Sequence, residues 1–304
     1  MTTTSPPSAS AAGAVYDRGY RPYEGPRGGR RAATFALYRA SIRRALGIRR
    51  SWRQKVAPFT LLAIVTVPAI VNVGIAYVTR DEIGERVQII TYREYVGVSS
   101  ALLVFVAITA PDILCPDRRQ RVLPLLFARP LTGVDYVAAK VGALFSILFA
   151  FSFLPQVVLF VGQALVSNSA LDYTRNHADV LWKVPVSVAL LAAFYSVLGA
   201  AISSLTSRRI VAGASFIGLF LVSSITAGVL VGDVEEKATG SAAALINVLG
   251  LPLFLRDLVF LGHIDPESRL KGVENGGLYA VVAYTVALAI GILVLLRRYR
   301  WMER

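Results

Sequence analysis

The 304-residue chain is 55% hydrophobic and only 17% charged, whereas a soluble globular domain carries roughly a quarter charged residues. Its net charge of +13 would suggest nucleic acid in a soluble protein, but the basic residues lie beside apolar runs without interleaved exposed aromatics, which argues against that partner. The single cysteine, Cys115, leaves no disulfide framework and no thiolate metal site, and His177 and His263 stand far apart as ordinary loop residues.

Residues 1–34, rich in Ser, Pro, Ala, Gly and Arg, read as a flexible cytosolic tail. Phe35, Tyr38, Ile42, Ala45 and Leu46 then share one face of a helix, flanked by Arg39, Arg43 and Arg50. This is the pattern of an N-terminal amphipathic helix lying on an anionic inner leaflet, or of a basic stop signal that only fixes topology. Six apolar runs follow, at 57–78, 95–115, 136–166, 181–205, 210–231 and 278–296. Each is about 19 residues or longer, enough to cross a ~30 Å hydrocarbon layer. The third is longer than a bilayer requires and contains Pro155, so it is expected to project, tilt or kink. The fold class expected is therefore all-α, a polytopic membrane protein of six spans.

With a cytosolic N terminus, 23 of the 32 Lys and Arg residues fall on the cytosolic side and 13 of the 19 acids on the other. Arg39 to Lys55 alone supplies seven basic residues before the first span. The positive-inside rule selects this orientation, with both termini cytosolic. The excess of Arg over Lys reads as base-composition bias and suggests a bacterial plasma membrane. Residues 242–262 are apolar enough for a seventh span, but Asn247, Arg256 and Asp257 would be costly against lipid, and a crossing there would put Arg297, Arg298, Arg300 and Arg304 outside. A pair of short helices dipping into the outer leaflet is expected instead, with Arg256 and Asp257 satisfied by each other or by neighbours.

The chain has no G-x-x-x-x-G-K-[ST] phosphate loop, no G-x-S-x-G elbow and no H-E-x-x-H helix. No catalytic residue, metal site or resident cofactor is therefore assigned. Asp112 is the sole acid within an apolar run, placed either to snorkel, to pair with Arg118 or to serve transport.

The connection Pro111 to Lys140, "PDILCPDRRQRVLPLLFARPLTGVDYVAAK", holds a puzzle. Val122, Leu123, Leu125, Leu126 and Phe127 sit in a short cytosolic segment fenced by Arg119, Arg121 and Arg129. Apolar side chains on a water-facing loop await a partner surface, and Pro124 and Pro130 limit any helix to about two turns. This stretch resembles the coupling helix of the type-2 ATP-binding-cassette exporter permeases: a charged turn (Asp117-Arg118-Arg119), a short Leu-rich helix, a break (Arg129-Pro130-Leu131), then Tyr136 and Lys140 opening the third span. "INVLGLPLFLRDLVF", Ile246 to Phe260, is similar to the family's outer re-entrant helices, although Pro252 does not directly follow Asn247, and the family's usual Glu and Gly-Thr before the Leu-rich helix are missing.

The resemblance implies one permease domain over 35–304, paired with a second permease, identical or related, and with two separate cytosolic ATPase subunits that hold ATP and Mg. It implies that Arg119, Arg121, Leu123, Leu126, Phe127 and Arg129 couple to the ATPase. It also implies that the first, second and fifth spans line the path, through Asn72, Ser99, Ser100, Thr109, Ser215, Ser223, Ser224 and Thr226. So little charge suits a hydrophobic or amphipathic cargo, while helix packing by small residues accounts for the same hydroxyls equally well. Two rivals from other classes remain: a membrane enzyme or assembly factor using Asp233, Glu235 and Glu236, and an ATP-independent scramblase or channel.

Overall fold

The computed structural model of the protein describes residues 28–48, 52–79, 91–96, 99–128, 130–232, 242–266, 268–270 and 273–303. Its elements are α1 (Arg30–Ala45), α2 (Trp52–Thr79), α3 (Tyr92–Val96), α4 (Ser99–Arg119), α5 (Leu123–Phe127), α6 (Gly133–Val166), α7 (Ala170–Asn176), α8 (Val180–Leu205), α9 (Arg209–Gly232), a 3-10 turn (Ala242–Ile246), α10 (Gly250–Leu261) and α11 (Gly276–Glu303). Among the described residues there is no strand. Six helical segments are long and apolar enough to cross a membrane: α2, Tyr92–Arg119 running through α3 and α4, α6, α8, α9 and α11. The protein is an all-α, multi-pass membrane protein.

The expected spans all appear, each extended by a few residues. The extensions follow from end chemistry that hydropathy does not register. α6 begins at Gly133 because Thr132 and Asp135 form a capping box, the Thr132 hydroxyl accepting from the Asp135 N–H and the Asp135 carboxylate accepting from the Thr132 N–H. At 34 residues it is about 51 Å long, and its helix runs through Pro155 without a break. The stretch expected to be a tail up to residue 34 is already helical in its last residues. Helix α1 already begins at Arg30, whose guanidinium forks onto Asp135 at 2.6 and 3.0 Å. Residues 1–27 lie outside the described residues.

Layering follows from exposure. Within the apolar windows of α4 and α8, 67% of residues are buried by the chain itself, against 22%, 28% and 22% in α2, α9 and α11. α4 and α8 are thus the centre, and the three others present apolar faces outward, among them Ile64, Val67 and Ile70 on α2 and Ile217, Leu221 and Ile225 on α9. Glycines let the central helices approach closely. A Cβ on Gly199 of α8 would stand 2.7 Å from Val106 Cγ1 of α4, and one on Gly213 of α9 would stand 2.7 Å from the carbonyl oxygen of Ala107.

The segment before the last span is not one continuous helix. The 3-10 turn and α10 are separate, and α10, with 12 residues, is about 18 Å long, too short for a bilayer. Gly262 closes α10 in the left-handed region at φ 75°.

Candidate functional site at the basic end of the bundle

One end of the bundle gathers α1, α5, the last turns of α4, α8 and α11 and the first turns of α6 and α9. Its centre is Asp117, at the end of α4 and only 3% exposed. One carboxylate oxygen takes the Lys140 ammonium of α6 at 2.6 Å and the Tyr136 hydroxyl at 3.0 Å, and the other takes Arg44 of α1 at 2.5 Å. Lys140 also donates to the Ile113 carbonyl at 3.1 Å. The Tyr136 ring packs against Tyr299 of α11, with centroids 4.7 Å apart, and edge-on against Phe127 of α5 at 6.1 Å. Buried charges persist only when paired and hydrogen-bonded, and here one carboxylate ties three helices together while its phenol neighbour carries the contact to α5 and α11.

The sequence reading took Asp117 as part of a water-facing charged turn and missed this network. The available signal was Lys140, a lone cation just inside an apolar run, which requires an anion within reach. Asp112 also departs from expectation. Its partner is Arg209 of α9 at 2.6 Å, while Arg118 turns to the Ser204 carbonyl of α8. The two bonds fasten α4 to the last turn of α8 and to the first residue of α9.

The amphipathic helix is placed differently as well. Ile42, Ala45 and Leu46, assigned to lipid from the sequence, pack against the protein's own core together with Leu37, while the Tyr38 hydroxyl meets Ser146 of α6 at 2.9 Å. Phe35 alone of that stripe stays 63% exposed. A stripe suited to lipid is equally suited to another helix, and the Arg30–Asp135 and Arg44–Asp117 pairs select α6 and α4.

The expected coupling helix is shorter than 119–127. α4 runs through Arg119, Arg121 takes a left-handed φ of 52°, and only Leu123–Phe127 is helical. Its side chains divide. Leu123 is buried by the chain itself, Leu126 and Phe127 pack part-buried on the core, and Leu125 projects at 71% exposure beside exposed Pro124. Leu123 is thus covered by the chain itself, Leu126 and Phe127 are covered in part, and Leu125 is the most open side chain of the set. Arg119 and Arg121 are exposed at its rim, and Arg129 lies outside the described residues.

Among the described residues, the candidate path residues are divided between buried and exposed positions. Asn72 is buried, accepting from Gln163 Nε2 of α6 at 3.2 Å, Thr109 is buried in α4, and Ser223 donates to the Phe220 carbonyl at 3.0 Å. Ser224 is half-buried, and Ser215 and Thr226 lie on the exposed face of α9. The side chains of Ser99 and Ser100, and Asp233, Glu235 and Glu236, lie outside the described residues.

At the opposite end, Asp257 is 7% exposed and receives two bonds from Arg256 at 2.9 and 2.6 Å. Arg93 of α3 lies 3.8 Å from Asp257 and 2.7 Å from Asp265. Asn247 precedes α10 and keeps a buried side-chain oxygen without a hydrogen bond. There the Lys183 ammonium bonds Asp179 and holds its carboxyl below the usual carboxylate range, and His177 caps α7, stacked on Tyr173 at 4.2 Å. Cys115 is a buried free thiol.

No protein-family model matches this sequence, and none of the curated proteins matches it.

Proposed function

We propose that this chain is the permease subunit of a type-2 ATP-binding-cassette exporter in a bacterial plasma membrane. In this reading its basic end faces the cytosol, and it works as a pair of permeases with two separate ATPase subunits that hold ATP and Mg. The observation that carries the reading is α5. A five-residue apolar helix projects Leu125 into water from the basic end and is seated, through Phe127 and Tyr136, on the buried Asp117–Lys140–Arg44 network. With exposed Pro124 and part-buried Leu126 and Phe127 beside it, Leu125 makes α5 a small apolar patch rimmed by exposed Arg119 and Arg121, the kind of surface that serves a partner. A load applied at Leu125 is delivered at once to α1, α4, α6 and α11, as conversion of ATPase motion into helix motion requires. The outward apolar faces of α2 and α9 leave room for a second permease, and a nearly uncharged interior suits a hydrophobic or amphipathic cargo.

The test is Leu125→Asp. Truncating an interface anchor costs ~2 kcal/mol or more, so the variant should lose the copurifying ATPase or its ATP-driven export. Its own unfolding midpoint should not move, because the side chain is already 71% exposed. An intact complex with full export would reject the assignment. Leu126→Asp is a poorer choice, because Leu126 also packs on the chain's own core.

A further inference from the structure

At the end of the bundle away from α5, a crevice of about 150 Å³ opens between α6 and α8, lined by Phe153, Gln156, Val157 and Phe160 on one side and by Val180, Leu181, Val184 and Pro185 on the other. Val157 and Leu181, 38% and 53% exposed, form its mouth on the outer surface of the bundle. Gln156 is the one polar side chain in this lining and is only 2% exposed. Its amide nitrogen reaches the Tyr92 carbonyl of α3 at 3.4 Å, which orients the group, while its amide oxygen is buried with no hydrogen-bond partner.

A buried carbonyl left without a donor is destabilising, and a group that donates to it recovers that cost. Water is a poor occupant, because a buried water needs two to four polar partners and apolar cavities of about this size stay dry while binding benzene. The fitting occupant is apolar, about the size of one ring or a short chain, with one hydroxyl or amide N–H.

We propose that the α6–α8 crevice is a binding site for an amphipathic molecule that enters from the surrounding lipid, buries its apolar end against Phe153 and Phe160, and donates one hydrogen bond to Gln156 Oε1. The site takes neutral donors and discriminates against apolar molecules of the same shape. It stands whether or not the chain is driven by an ATPase.

The experiment uses the full-length protein in phosphatidylcholine nanodiscs, with protein-free nanodiscs subtracting partition into lipid. Two probes of one shape, 4-fluorophenol and fluorobenzene, are titrated and followed by fluorine NMR. Wild type should bind the phenol about two- to tenfold more tightly than fluorobenzene, the range one net hydrogen bond supplies. Gln156→Met should abolish that preference and leave fluorobenzene binding as it was. Val157→Trp, at the exposed mouth, should weaken both probes together and tests the location independently of Gln156. Wild type binding neither probe, a preference that survives Gln156→Met, or unchanged binding in Val157→Trp would each overturn the proposal.

Discussion

Asp117 is the residue on which the basic end depends. Its carboxylate is held among a 3%-exposed ammonium, a guanidinium and a phenol, so removing the negative charge leaves Lys140 buried without an anion. Breaking such a pair costs about 3–5 kcal/mol, whereas removing both partners costs far less than the two single changes together. Asp117→Asn should therefore destabilise the protein by about 3 kcal/mol, read as a lowered unfolding midpoint in detergent. Lys140→Met should cost much less in the Asp117→Asn background than in wild type. Strict additivity of the two changes would mean that they do not share one network. Leu125 is the contrasting case at the same end, an apolar residue whose replacement should leave stability alone because it is already 71% exposed.

Between elements, the closest approaches are set by glycine. On α9, Gly213 faces the Ala107 carbonyl of α4, and an added Cβ would meet that oxygen at 2.7 Å, an atom of a rigid helix that cannot swing aside. Gly218, on the same helix, has nothing within 4 Å of an added Cβ. Gly213→Ala should thus cost about 1–3 kcal/mol by overpacking, while Gly218→Ala should be neutral or slightly stabilising through helix propensity. Thermal unfolding of the two variants side by side checks this, and equal midpoints would show that α9 shifts away from α4 without penalty. α1 belongs to the same scale. The sequence periodicity identifies its apolar stripe correctly, but the occupant of that stripe is settled by Arg30 reaching Asp135 and Arg44 reaching Asp117.

For the molecule as a whole, the two chain ends meet at one end of the bundle: Arg44 pairs with Asp117 near the N terminus, and Tyr299 packs on Tyr136 near the C terminus. Six spans and a non-crossing α10 require the same. Cysteines introduced at positions 31, 125 and 300 in a Cys115→Ala background should therefore be labelled by a membrane-impermeant maleimide only from the cytosolic side, and cysteines at 172 and 263 only from outside. Labelling of 31 and 300 from opposite sides would demand a seventh crossing through 242–262 and overturn the six-span arrangement.

The spans were legible in the sequence because they rest on sums over many residues: apolar length against the thickness of hydrocarbon does not depend on which side chain touches which. The short, apolar character of the segment at Leu123–Phe127 was legible for a similar local reason, since Pro124 and Pro130 bound it. Which of its leucines faces outward was not, because that depends on Tyr136 and the body of α6 arriving beneath it. The Asp117 network, the Asp112–Arg209 pair and the orphaned Gln156 oxygen likewise exist only through residues 27, 97 and 64 positions away in the cases of Ile113 to Lys140, Asp112 to Arg209 and Tyr92 to Gln156. Hydropathy registers the cost of a charge in lipid, but only the folded chain brings the partner that cancels it.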